Sequence, residues 1–383
     1  MKRVGGGAGT VLLMAAIGWS LILAGMVGFA FRGDPRGFFS PGAFFAHPPE
    51  MAGARLAPGF GYDGQFYFAL TLDPLLLRPE TPGFLDLPPY RAGRIGLPLA
   101  AWALVLGNRP AASLAYLALC WLLGLLGIWV VARWIESEGT SPWRALPLVL
   151  SAGLVASMTR ATPDAAAASL LVLALWLEAR RRPGAVAVLA AAVLVRETSF
   201  IAAGALAIVR WREGQRMEAV RALAIPAGLA LGWRAWMLSR PGVLGGDPLE
   251  FGPPLTWIWT KSASPWTLDS VGETLALTAL ALAVAALVPL LPRWRRWSPA
   301  AWTYAGFVLL AVLMGAKVYE DRGAFARATC ALPLLALPLA AGEDRPGVAR
   351  MLRGVPLAWA VAGAAMLLFL TRIPAALARL LGF

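Results

Sequence analysis

Apolar residues fall in long runs along this chain, separated by short polar gaps. The runs cover about 10–31, 111–133, 145–158, 165–179, 184–195, 199–211, 219–238, 272–291, 299–316, 325–341 and 354–371. Each is suited to a membrane span, although several fall short of the roughly 20 residues that a perpendicular crossing needs. Their ends extend into flanking Arg and Trp, which snorkel or sit at the headgroups, as Trp134, Trp143, Trp211, Trp294 and Trp297 are placed to do. The pattern predicts an all-α integral membrane protein of about 11 transmembrane helices, a single polytopic domain over 1–383.

One further run, about 92–107, decides the topology. Counted as a span, it would put Arg180, Arg181 and Arg182 outside the cell. Laid on or dipping into the outer face, it leaves every dense Arg cluster in the cytoplasm, as the positive-inside rule favours. Pro98 and Arg91/Arg94 near its start suit such an interfacial helix. This choice makes the amino terminus cytoplasmic and 32–110 the first extracytoplasmic loop. Val11 to Phe31, following Met1-Lys2-Arg3, then reads as an uncleaved signal anchor. A second long loop, about 239–270, carries Trp257, Trp259 and Trp266. Loops beyond about 12–15 residues are usually functional or disordered, and the aromatic content argues against disorder.

Composition agrees. Of 383 residues, 59% are hydrophobic and 14% charged, against about 45–50% and about 25% in soluble domains. Mean hydropathy is +0.66. The polar residues of a water-soluble fold could not cover so much apolar surface. The net charge of +13 does not point to nucleic acid, because the basic residues sit in short gaps between apolar runs, as in Arg293 to Arg296 and Arg345 to Arg353. Cys120 and Cys330 lie within apolar runs and imply neither a disulfide framework nor a thiolate site. His47 is the only histidine, which excludes a multi-histidine zinc site. The cofactor stays open. Any metal would need carboxylate ligands, pointing to magnesium or manganese.

Basic residues are disfavoured in short outer loops, yet Arg160, Arg196, Lys317, Arg322 and Arg327 fall there in this topology. Each has an acid nearby in sequence: Asp164, Glu197, Glu320 or Asp321. One reading is mutual pairing at the outer edge; the other is an extracytoplasmic cavity that holds a phosphate, for which Arg forks and Lys are suited. For Asp164 a capping role is also open, with Thr162 as N-cap, Pro163 first in the helix and Asp164 a first-turn acid. The segment Gly61-Tyr62-Asp63-Gly64-Gln65-Phe66-Tyr67-Phe68 reads by itself as an Asp-Gly turn among interfacial aromatics.

That segment, an aromatic-Asp-x-x-x-Tyr element about 30 residues after the first span, resembles the GT-C superfamily of polyprenyl-phosphate-sugar-dependent glycosyltransferases. Protein O-mannosyltransferases and lipid A aminoarabinose transferases are members. The resemblance implies a GT-C-like fold with juxtamembrane helices in the first outer loop, and a catalytic acid at Asp63. Tyr90-Arg91-Ala92-Gly93-Arg94-Ile95-Gly96-Leu97-Pro98 looks like the juxtamembrane helix that follows the acidic motif. Arg160-Ala-Thr-Pro-Asp164 is similar to the second acidic position, and Arg196-Glu197-Thr198 falls where such enzymes place a charged group. Gly64 follows Asp63, so the loop lacks the paired carboxylates that would hold a metal.

The expectation is sugar transfer, on the extracytoplasmic face of the cell's inner (plasma) membrane, from a polyprenyl-phosphate donor to a hydroxyl of a glycan, lipid or protein acceptor. Asp63 would be the general base. Lys317, Arg322, Arg327 and Arg196 would bind the donor phosphate. Tyr62, Gln65, Tyr67, Arg91, Arg94, Arg160, Asp164, Glu197, Glu320 and Asp321 would line the substrate site. A secondary transporter or lipid flippase is the alternative, as is a polysaccharide polymerase or ligase.

Overall fold

The computed structural model describes residues 7–243, 251–255, 268–320 and 323–369. Among them, regular structure is helical, and pairing outside helices is limited to isolated bridges. In chain order the first ten α-helices are α1 Gly7–Gly25, α2 Gly64–Leu72, α3 Pro88–Ala92, α4 Gly96–Leu104, α5 Arg109–Ser137, α6 Ala152–Thr159, α7 Asp164–Ala179, α8 Ala185–Val195, α9 Phe200–Arg212 and α10 Arg216–Leu238. Helices over Leu268–Leu287, Pro299–Leu313, Ala316–Glu320, Ala324–Ala328, Ala331–Ala341 and Pro346–Phe369 follow.

Among the described residues, four helices are long and apolar enough to cross a bilayer: Gly7–Ala30, Arg109–Ser137, Ser270–Arg296 and Pro346–Leu368. Ala185–Val195, Pro299–Leu313 and Ala331–Ala341 are apolar but shorter. The apolar runs thus become helices, while the count of about eleven crossings exceeds the four that length and composition support. Proline explains two of the shortenings, since it cannot donate a backbone hydrogen bond. The run 145–158 opens as a 3-10 turn over Pro142–Leu150 with Pro147 inside, breaks at Ser151, and becomes helical again as α6. The run 325–341 breaks at Thr329 and Cys330, and the restart puts Pro333 in a first turn, where the missing N–H costs nothing. Large apolar side chains stand outward along the helices, with Leu21 70%, Leu122 62% and Leu231 67% exposed. Water would penalise such a surface and lipid does not, so this is a membrane protein.

Within 92–107, α4 has nine residues and rises about 14 Å, about half of a hydrocarbon core. It cannot cross alone. The segment between α1 and α5 is a string of short helices rather than an open loop. There the Asp-Gly turn expected at Asp63-Gly64 is instead the opening of α2, whose nine residues are all buried. Gly64 is required by space, because a Cβ there would run into the Arg160 carbonyl and the Phe39 backbone. That close approach presses Asp63 against the turn that precedes α7.

Three helices set the ends of the bundle. α7 runs from Asp164 to the Arg180 turn, α8 from the Arg182 turn to Arg196, and Pro299–Leu313 from the Arg293–Arg296 turn to Met314. Asp164, Arg196 and Met314 lie at one end and the arginine-rich turns at the other.

Candidate functional site

At the first of these ends lies a cavity of about 1010 Å³. Its lining brings together the start of α2, the helix α3, the α8–α9 turn, α10, and residues of the short helices Ala316–Glu320 and Ala324–Ala328. Among the described residues, six cationic side chains line it, Arg91, Arg94, Arg196, Arg234, Lys317 and Arg327, against three carboxylates, Asp63, Asp86 and Glu197. These lining residues carry three more positive than negative charges. Phe45, Phe60, Phe66, Ile201 and Leu310 add apolar surface.

The charged residues form an alternating chain. Arg91 bonds both oxygens of Asp86 at 2.8 Å, through Nε and Nη2. The same Nη2 reaches Asp63 Oδ1 at 2.9 Å. The other Asp63 oxygen accepts from Arg327 Nη2 at 3.1 Å, and Arg327 Nη1 donates to Asp164 Oδ2 at 3.2 Å. Asp164 also pairs with Arg196. Beside this chain, Arg94 clamps Glu197, with Nε to Oε2 at 2.9 Å. Burial would push the Asp63 carboxyl up, but the guanidiniums of Arg91, Arg327 and Arg94 overcome it and hold the group well below the usual carboxylate range. The Glu197 side chain is 53% exposed to the cavity; what desolvation remains there is outweighed by Arg94, which holds its carboxyl down at about 2.

Aromatic rings pack between the charges. The Arg160 guanidinium lies 4.0 Å from the Tyr62 ring centre and that of Arg327 4.7 Å, while Arg94 sits 3.9 Å from the Tyr90 ring. These distances suit cation–π attraction, which fixes the direction of each guanidinium.

Asp63, Arg196, Arg327, Lys317, Arg91, Arg94, Glu197 and Tyr62 all line the cavity. Others stand behind it. Tyr67 is buried, stacks on Tyr116 and accepts a hydrogen bond from Arg94 Nη1 at 3.4 Å. Gln65 spends its amide on the backbone, accepting from Gly42 N at 2.9 Å and donating to the Phe60 carbonyl at 2.7 Å. Of Tyr62, Gln65 and Tyr67, only Tyr62 lines the cavity. Arg160 supports Tyr62 from behind the lining. Glu320 is exposed and outside the lining. Arg322 and Asp321 lie outside the described residues.

Asp164 is the first-turn acid of α7, as expected, but the cap differs: Pro163 takes the N-cap position, and the Thr162 hydroxyl donates to Ser157 Oγ at 3.1 Å rather than closing the helix. Ser157 Oγ, from α6, accepts from Ala165 N at 2.9 Å and does the capping. Asp164 is thereby left for the arginines, with its side chain 0% exposed.

Among the described lining residues, two charged ones were not expected from the sequence. Asp86 sits five residues before Arg91 across Pro88-Pro89, and the helix start folds it back onto that guanidinium. Arg234 lies near the far end of the run 219–238, twelve residues of uncharged chain after Arg221, a signal that was available, since a charge at membrane depth usually faces a cavity. Its neighbours Trp233 and Trp236 donate to the carbonyls of Ala92 at 2.8 Å and Leu75 at 3.1 Å, which draws this end of α10 onto the short helices.

The donor set does not fit a divalent cation. Asp63 and Asp164 are joined through Arg327, so a metal at either would have to displace a guanidinium, and among the described residues no three His, Cys, Asp or Glu converge. What the arrangement can do is bind an anion with an apolar attachment beside an ionised carboxylate. No family model, curated protein or solved structure matches this chain.

Proposed function

We propose that this chain is a membrane glycosyltransferase of GT-C type, moving a sugar from a polyprenyl-phosphate donor to an acceptor hydroxyl. The observation that carries the reading is the cavity that sets Asp63 beside Arg327, Lys317 and Arg196. A lipid phosphate suits both of its surfaces: the cationic wall takes the phosphate, and the apolar residues take the start of the chain. The reaction site is extracytoplasmic in this reading, because the arginine-rich turns lie at the far ends of α7, α8 and Pro299–Leu313, and such turns favour the cytoplasm.

In the proposed reaction the acceptor oxygen forms a bond to the anomeric carbon while the bond from that carbon to the phosphate oxygen breaks. Asp63 takes the acceptor's proton. The electron pair leaves with the polyprenyl phosphate, whose added charge Arg327, Lys317 and Arg196 stabilise. Tyr62 offers a ring face to the sugar. Arg94 and Glu197 hold the floor between α3 and the α8–α9 turn.

The test is sugar transfer by the purified chain, with a radiolabelled polyprenyl-phosphate sugar and extracted envelope acceptors. Asp63→Asn should abolish transfer and leave a monodisperse protein. Near-normal turnover in that variant would remove Asp63 from the mechanism. Movement of intact donor across a vesicle, with no glycosidic bond broken, would favour the flippase instead.

A further inference from the structure

We infer that an anionic phosphate entering the cavity competes with Asp63 for Arg327, and that filling the anion site is what frees the Asp63 carboxylate to act. The inference rests on the reading of the cavity as a lipid-phosphate site and adds an order of events to it.

The geometry engages both oxygens of Asp63. Oδ1 is held by Arg91 and Oδ2 by Arg327. A carboxylate held on both oxygens by guanidiniums is ionised but a weak base. Withdrawing one of those partners raises its proton affinity and makes it a better general base.

The two arginines are not equally able to leave. Arg91 is anchored by a two-point clamp on Asp86, and the nitrogen that reaches Asp63 is itself part of that clamp. Arg327 divides its fork, with Nη1 on Asp164 and Nη2 on Asp63. It can give up Asp63 and keep a fully buried carboxylate as its anchor. Arg327 also lines the cavity with Lys317, which is exposed to it and lies on the neighbouring short helix Ala316–Glu320. A phosphate held against Lys317 shares the cavity wall with Arg327, whose Nη2 can turn to it. Arg327 then leaves Asp63 for the anion, Asp63 keeps Arg91 alone, and its proton affinity rises. With no anion present, the base stays locked and neither an acceptor hydroxyl nor water is activated.

Competition is reciprocal, so whatever weakens the hold of Asp63 on Arg327 must tighten the anion by the same factor. The test is the affinity of the purified full-length chain in detergent for farnesyl phosphate, read by microscale thermophoresis. Asp63→Asn and Asp63→Ser should each bind it about tenfold tighter than wild type. Asp86→Asn removes one negative charge from the same wall without touching Arg327, and should tighten binding by less than about threefold. Asp63 variants that bind no tighter than Asp86→Asn overturn the inference. A cryo-EM structure of the unaltered chain with farnesyl phosphate gives a second reading that needs no variant. Arg327 should have parted from Asp63 and remained on Asp164; an intact Asp63–Arg327 pair with the anion bound overturns the inference. The two proposals fail separately. Asp63-dependent sugar transfer with unchanged farnesyl phosphate affinity sinks the coupling alone, whereas tightened affinity without any transfer sinks the transferase reading alone.

Discussion

Asp63 and Arg327 are 264 residues apart in the chain and 3.1 Å apart in the fold. The contact is possible because Gly64 lets the start of α2 press against the Arg160 carbonyl, while the short helix Ala324–Ala328 delivers Arg327 just before the chain re-enters the bundle at Ala331. Arg327 thereby joins an acid that faces the cavity to one that does not.

Asp164 acts through that arginine. Its side chain is fully buried and holds Arg196 and Arg327 together. Removing the charge leaves two guanidiniums at the base of the site without their shared counter-ion. Asp164→Asn is expected to lose about 3 kcal/mol of stability, the usual scale for breaking a buried pair. Unfolding in mixed micelles with increasing SDS checks it; a loss below about 1 kcal/mol would mean that water reaches both arginines.

Arg234 should matter to the donor more than to the fold. It is exposed to the cavity on α10 and adds to the positive wall. Arg234→Gln is expected to raise the KM for a lipid-phosphate donor about tenfold at low salt, and by less as salt screens the wall. Steady-state kinetics at two ionic strengths measure both effects.

Gln65 should behave in the opposite way. Its amide closes the chain between Gly42 and Phe60 and is buried. Gln65→Ala strands a backbone N–H and a carbonyl, at a cost of about 2 kcal/mol. Thermal denaturation should register the loss, while turnover per folded molecule stays within about twofold of wild type.

Gly363 marks where Pro346–Phe369 crosses the break at Ser151. A Cβ there would strike the backbone of Leu150 and Ala152, which cannot yield as a side-chain tip can. Gly363→Ala should destabilise by about 1–3 kcal/mol, the range for overpacking. The same SDS titration reads it, and an unchanged midpoint would show that the helix slides.

Acid should loosen the site over a defined window. Glu197 is lowered from 4.5 to about 2 by Arg94, with Asp63 lowered from 3.8 in the same direction. A depressed carboxyl stabilises the fold fully above its unfolded value and loses that contribution as pH falls toward its folded one. Stability should therefore hold with respect to these groups above about pH 5 and decline from there toward pH 2. Glu197→Gln should flatten part of that decline in a series of melting curves.

Helices, lipid and charge asymmetry were readable from residue order alone. Runs of apolar residues are a local property, and so are the arginine-rich turns between them. Arg196, Lys317 and Arg327 were also identifiable one by one, because charge at membrane depth is costly wherever it occurs, whereas Asp63 stood out only through the resemblance its motif carries. How far the helices run was less legible: breaks at Ser151 and at Thr329–Cys330 depend on prolines together with the neighbours that accept them. Pairing was not legible at all. Gln65 and Tyr67 sit in the same short motif as Asp63, yet a buried helix turns them away from the cavity, and Asp86 and Arg234 enter it from segments that no local pattern connects. A side chain's chemistry travels with its residue type, but its partners are chosen by packing across the whole chain, and here one guanidinium between two distant acids does the choosing.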